Sequence, residues 1–256
     1  MEDAEYRKMF EYEDGHWWFR GKRAIVGRLL DRFAPARAGL RSLDVGCGTG
    51  ANLRLLARHG EAYGLDDSPL ALALCRRRGL RELARGSAAS LPYRTGTFDV
   101  VTMLDVLYHR RVADVGQTLR EAYRVCRPGG VLIITDSAFE ALRSPHDVAY
   151  HAARRFRRGE VARAVEDGGF RVLKSSYMNA LLFPIAVAVR AVERRRFGDR
   201  TAHSSLTRPL PVINRGLEAI YGLEARILAR ASLPFGLSVL VVGRKAADAA
   251  GRAASV

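Results

Sequence analysis

The run Leu43-Asp44-Val45-Gly46-Cys47-Gly48-Thr49-Gly50 constrains this chain more than any other stretch. It completes a short apolar segment, Arg41–Val45, and leads into an amphipathic one, Ala51–Arg58, with Leu53, Leu55 and Leu56 inward. Glycines at alternate positions let the backbone turn sharply and let a ligand approach the main chain closely. A helix opening directly after them offers unpaired N–H groups. Strand, glycine turn and helix in that order describe a nucleotide site in an α/β protein. The spacing differs from the Gly-x-Gly-x-x-Gly of dinucleotide sites and lacks the Gly-Lys-Ser/Thr ending of a P-loop. An acid at Asp44, beside the turn, would repel phosphate and suits a cationic ligand.

The rest of the chain agrees with an alternating fold. Ala62–Leu65 reads as a second strand, and Pro69–Arg78 as a helix N-capped by Ser68 with proline at its first position. Leu80–Arg85 is a short third strand. Phe98–Leu104 is β-branched and apolar, hence a buried strand. Gly116–Val125 is helical, Pro128-Gly129-Gly130 is a turn, and Val131–Thr135 is another buried strand. A helix ending at Asp167, the strand Phe170–Tyr177 and a final strand Leu237–Val242 complete the pattern. The fold class is therefore α/β, a mostly parallel sheet with helices on both faces. Residues 178–236 interrupt it with two helices, Phe183 to about Arg196 and about Val212 to Ala231, an insertion expected to form a helical cap. The expected organisation is a helical lid segment over 1–40, a core over 41–177 plus 237–245, and the helical cap insertion over 178–236.

The formal net charge of +15 invites a nucleic-acid reading. Only Lys8, Lys22, Lys174 and Lys245 are lysines among the 42 basic residues, an arginine bias that reflects codon composition more than a binding patch. The excess is uneven, +4 over residues 1–150 and +11 over 151–256. No separate basic unit with interleaved aromatics exists, so no nucleic-acid partner is expected. Cys47, Cys75 and Cys126 show no metal-ligand spacing, and no metal is expected. Unpaired thiols suit a reducing cytoplasm. The N-terminus is acidic where a leader would be basic and then apolar. The longest uncharged run, Ser175 to Val189, contains Pro184 and is shorter than the about 20 apolar residues a spanning helix needs. Such a segment could lie on a membrane surface but not cross one, which leaves peripheral membrane contact and homodimerisation as the open partner readings for the insertion.

Asp44-Val45-Gly46-Cys47-Gly48-Thr49-Gly50 resembles the first motif of class I S-adenosylmethionine-dependent methyltransferases. Gly64-Leu65-Asp66-Asp67-Ser68, Leu91-Pro92-Tyr93 with Thr97–Val101, Leu104–His109 and Arg124–Gly130 resemble that family's later segments in order and spacing. The resemblance covers 41–136 and implies a Rossmann-like, seven-stranded sheet with S-adenosyl-L-methionine as cofactor. The look-alikes are bacterial small-molecule enzymes of the ubiquinone- and menaquinone-methylating type. By that resemblance the cofactor-binding residues are Asp44, Gly46, Cys47, Gly48, Gly50, Asp66, Asp67, Ser87, Ala88 and Leu104, with Asp66 on the ribose hydroxyls. The family often carries an acid for the adenine amino group where this chain has Ser87 and Ala88, which puts one contact in doubt.

His109 is the first catalytic candidate, with Tyr108, because both follow the fourth strand near the methyl group and a histidine titrates near neutrality. Substrate candidates are Trp17 and Trp18 in the aromatic segment His16–Arg20, His146, His151 and Arg154 before the sixth strand, and Tyr177, Asn179 and Asn214 of the insertion and its approach. Asp147 and His151 are four apart and would share a helix face, and Arg154 with Arg155 could meet an anionic substrate. The expected function is methyl transfer to oxygen or carbon of a small hydrophobic or amphiphilic acceptor, a secondary metabolite, isoprenoid or lipid precursor. The rivals are a nucleic-acid methyltransferase, for which Leu104-Asp105-Val106-Leu107 stands in place of the Asn/Asp-Pro-Pro-Tyr motif, and a non-catalytic cofactor-binding protein.

Overall fold

The computed structural model describes residues 1–143, 145–188 and 209–247. Seven strands form one sheet: β1 (Leu40–Val45), β2 (Gly60–Asp66), β3 (Leu83–Arg85), β4 (Phe98–Leu104), β5 (Cys126–Ser137), β6 (Arg171–Met178) and β7 (Ser238–Arg244). Their order is β3-β2-β1-β4-β5-β7-β6, all parallel except β7, which runs antiparallel between β5 and β6. The order reverses between β1 and β4, and open α/β sheets place ligands at the carboxyl ends of strands on either side of such a switch.

Side-chain alternation splits the core into two layers. Val101 and Met103 of β4, Leu132 and Ile134 of β5, and Val239 and Val241 of β7 pack to one side. Their partners there come from α5 (Val115–Val125) and α7 (Arg158–Asp167), including Leu119, Val161 and Val165. Val100, Val131, Ile133, Leu240 and Val242 pack to the other. That second face is covered by α2 (Trp17–Phe33), α3 (Ala51–Leu56), α4 (Pro69–Arg77) and α9 (Pro211–Arg230). The remaining helices are α1 (Asp3–Tyr12), α6 (Pro145–Ala149) and α8, residues 183–188. α1 joins neither layer; Tyr6 packs with Ala71 and Leu74 of α4 in a small cluster of its own.

The described part of the insertion packs against α2 and the sheet. α9 lies along α2, where Tyr221 is 1% exposed and packs against both Trp17 and Trp18 at ring-centroid distances of 5.5 and 6.1 Å. Its buried Glu224 accepts hydrogen bonds from the backbone N–H groups of Asn179, Ala180 and Leu181, and Asn179 Nδ2 donates to Ser238 Oγ at 3.1 Å. The expectation for the first insertion helix beyond residue 188 falls outside the described residues. No helix among the described residues is long and apolar enough to cross a membrane.

Candidate active site

The glycine turn is built as its sequence requires. Gly46, Gly48 and Gly50 have φ of 71°, 55° and 90°. A Cβ added at Gly46 would sit 2.7 Å from Val106 Cγ2, and one at Gly48 would sit 2.8 Å from Met9 Cε, so the turn leaves no room for side chains. At the end of β2, Asp66 is 6% exposed. Its Oδ1 accepts from Ser68 N–H at 2.9 Å and from the Tyr6 hydroxyl at 3.4 Å, and its Oδ2 accepts from Gly48 N–H at 2.9 Å. Burial pushes its carboxyl above the usual carboxylate range.

Asp44 lies beneath the turn, 1% exposed and off the cavity wall. Its Oδ1 accepts from the Thr102 hydroxyl at 2.6 Å and its Oδ2 has no partner. Burial raises its pKa to about 7. A buried, half-satisfied carboxylate under a glycine turn, a ligand-facing acid at the next strand end and a turn cleared of side chains together fit a nucleoside whose other end carries an ammonium group.

A cavity of about 270 Å³ runs from this turn along the carboxyl ends of β1, β2 and β4. Of the residues expected to bind the cofactor, Gly46, Cys47, Gly48, Asp66, Asp67, Ser87, Ala88 and Leu104 line it; Gly50 does not, and packs on Cys75 and Leu80. Asp67 is half-exposed and paired with Arg111 at 2.5 Å.

Its far half is enclosed by Trp18, Phe19 and Lys22 of α2, by Asp105, Tyr108 and His109 after β4, and by Asp147, Tyr150 and Arg155. Tyr108 is held by Asp136, which is fully buried and accepts from Leu107 N–H at 2.8 Å and Tyr108 N–H at 3.3 Å. Burial pushes the Asp136 carboxyl and the Tyr108 hydroxyl well above their usual ranges. His109 Nε2 lies 3.0 Å from the Met1 nitrogen, and its Nδ1 accepts from Arg111 N–H at 3.2 Å. Burial lowers its pKa to about 4, so the ring is neutral at pH 7.

The substrate candidates divide sharply. Of them only Trp18 lines the cavity among the described side chains; that of His146 lies outside the described residues. Trp17 turns to Tyr221. Asn214 accepts from Trp17 N–H at 2.9 Å and fixes the start of α2 against α9. Tyr177 stacks on Phe139 with ring centroids 4.9 Å apart. Asn179 is fully buried in the Glu224 and Ser238 contacts.

The pair Asp147 and His151 does not share a helix face, because α6 ends at Ala149 and His151 has φ of 54°. His151 faces Met1 instead. Arg154 donates to the Val112 carbonyl at 3.0 Å, and Arg155 forms a two-pronged pair with Asp147 at 2.9 Å for each bond. Arg155 is thus committed to Asp147, while Arg154 is held by a backbone carbonyl alone.

Lys22 and Arg78 were not singled out by their sequence context, and Asp105 stood only as a weaker catalytic candidate on the segment of His109. Lys22 forms an ion pair with Asp105 across the cavity, and Asp105 has φ of 61°. A lysine inside a helix and an acid after a strand look like ordinary surface residues until α2 is laid across the sheet edge.

Fold and site thus define a nucleoside-binding α/β protein with a second chamber beside the nucleoside pocket. Residues 43–134 match the family model described as a methyltransferase domain. A demethylmenaquinone methyltransferase of Tropheryma whipplei is 34% identical over 155 residues, 52% of this chain and 59% of that protein. A "probable S-adenosylmethionine-dependent methyltransferase" of Mycolicibacterium smegmatis is 31% identical over 162 residues, 61% of this chain and 60% of the other. Among solved structures, a chain of the Haloferax volcanii complex between the Trm112 methyltransferase activator and a methyltransferase superposes with a TM-score of 0.60. It is 22% identical, covers 95% of this chain and 94% of that chain, and is a likeness of fold. Residues 43–134 thus match a methyltransferase domain, and the relatives similar over that stretch include proteins named as S-adenosylmethionine-dependent methyltransferases. The chain spans about half the length of the curated relatives it matches.

Proposed function

We propose that this protein transfers a methyl group from S-adenosylmethionine to oxygen or carbon of a small aromatic or amphiphilic acceptor. The observation that carries the reading is the cavity that joins the glycine turn and Asp66 to an aromatic chamber of Trp18, Phe19, Tyr108 and Tyr150. Charges in that chamber are paired, Lys22 with Asp105 and Arg155 with Asp147, so it suits a largely neutral ring better than a strongly charged ligand. Relatives named as quinone methyltransferases point to the same acceptor class.

Bound S-adenosylmethionine supplies an activated methyl group on a sulfonium. What remains for the protein is alignment and exclusion of water. Asp66 would accept from the ribose hydroxyls, and backbone at Ser87 and Ala88 would read the adenine. Asp44 would favour the ammonium through its charge across the turn, since it does not reach the cavity wall. His109, neutral at pH 7, would accept a proton from an acceptor hydroxyl only after a ring nitrogen gives up its contact with Arg111 or Met1.

The test has two arms. Calorimetry with S-adenosylhomocysteine should show one site per chain. Isotope-labelled S-adenosylmethionine, offered with reduced naphthoquinones, phenols and short amines, should label the first two groups. Labelling of amines alone, or of oligonucleotides added as controls, would overturn the acceptor class.

A further inference from the structure

We propose that Arg78 is a positioning residue for the cofactor, locking α1 down across the glycine turn; the inference rests on the cofactor reading above. Arg78 directly follows α4, and its side chain is 5% exposed although arginine is almost never buried. Its Nε donates to the Thr49 carbonyl at 2.8 Å, inside the glycine turn. Nη1 donates to Asp14 Oδ2 at 2.5 Å, and Nη2 to the Phe10 carbonyl at 3.1 Å and to Glu13 Oε1 at 2.7 Å. The guanidinium also lies 4.4 Å from the Phe10 ring centroid. Glu13 closes the circuit by accepting from the Thr49 hydroxyl. One side chain thus ties the end of α1 and its following turn to the loop that holds the cofactor.

What α1 brings to that loop makes the tie consequential. Tyr6 reaches the Asp66 carboxylate, and Met9 Cε occupies the space beside Gly48 where a side chain would have stood. With α1 down, the ribose-facing acid and the turn are covered. α1 contributes to neither layer of the main core and rests on α4 through Tyr6, Ala71 and Leu74. It can therefore lift while the sheet stays folded, as weakly packed segments do. A buried ion pair gives little net stability over an apolar pair in its place, so a guanidinium with all of these bonds directed at α1 and Thr49 serves to fix one arrangement of α1. Arg78 sets how fast the cofactor or its product leaves.

S-adenosylhomocysteine is the probe, followed by the fluorescence of Trp18 in stopped-flow release and by calorimetry. Arg78→Ala should release it about tenfold faster or more, the equivalent of one charge-assisted hydrogen bond. Arg78→Lys keeps the charge but not the fork and should fall between. The melting temperature without ligand is the control, because a purely structural arginine would move that and leave the release rate alone. If Arg78→Ala does not fold, the double variant Glu13→Gln, Asp14→Asn removes the anionic partners with Arg78 intact and should also speed release. Release unchanged in every folded variant overturns the proposal. Failure of the wild-type chain to bind the probe would instead overturn the cofactor reading and this inference with it.

Discussion

Asp44→Asn should make the ligand-free protein more stable above neutral pH while weakening its hold on the cofactor. Asp44 is completely buried, with one oxygen satisfied by Thr102 and the other by nothing. Burial raises its pKa from 3.8 to about 7. The folded protein therefore binds this proton more tightly than the unfolded chain, and stability falls as pH rises from about 4 to about 7, then levels. By pH 8, where the carboxyl is ionised in both states, the loss amounts to about 4 kcal/mol. Asparagine keeps the shape and the bond from Thr102, and cannot ionise. Its amide nitrogen takes the place of the unpartnered oxygen and costs about 1–3 kcal/mol.

The net gain at pH 8 is about 1–3 kcal/mol, or a melting temperature higher by roughly 2–10 °C for a chain of this size. At pH 5, where wild-type Asp44 is protonated, the gain should vanish. Thermal scans without ligand at several pH values read this directly. A variant that melts at or below wild type at pH 8, or a difference that does not change with pH, would refute the argument. The same substitution should lower affinity for S-adenosylhomocysteine about tenfold, since it removes the charge that favours the ammonium.

Asp66→Asn should weaken S-adenosylhomocysteine binding by about tenfold or more for each ribose hydroxyl that loses a charged acceptor; equal affinity in calorimetry would remove Asp66 from the ribose site. Arg155→Met should cost about 3–5 kcal/mol in urea unfolding because the buried Asp147 carboxylate loses its two-pronged guanidinium partner, and adding Asp147→Leu should recover most of it; a double variant as unstable as the single would show that the pair does more than neutralise itself. Gly21→Ala places a Cβ inside the space of the Tyr221 ring and should cost about 1–3 kcal/mol by forcing α2 from α9; an unchanged urea midpoint would refute close packing of these helices.

Sheet and cofactor turn were legible because local chemistry dictates them. Phe98–Leu104 is the strand β4 residue for residue, and Ser68 with Pro69 opens α4 as its capping pattern requires. Glycines with positive φ marked the turn, and Asp66 stands where the strand end placed it. The far half of the cavity was not legible, because long-range packing decides it. Tyr177, Asn179 and Asn214 looked functional as polar residues among apolar ones, yet each is consumed in joining the insertion to the sheet and to α2. Buried polar groups need partners, and a sequence does not say whether the partner is a ligand or another part of the chain. Lys22 and Arg78 gave the opposite error: each lies in a run that reads as a solvated helix face, and each becomes internal only when the N-terminal helices cross the sheet edge.

The joint at the foot of the insertion has a consequence for loop length. Glu224 gathers the amides of Asn179, Ala180 and Leu181, Asn179 reaches Ser238, and Leu233 N–H donates to Ser176 Oγ at 2.8 Å. Departure and return of the chain are thus clamped together beside β6 and β7. Closing a longer loop across a fixed joint adds only about 0.6 kcal/mol per doubling of length. The pairing of β6 with β7 therefore rests on this joint, and replacing residues 189–208 by a linker of another length should leave the sheet in register.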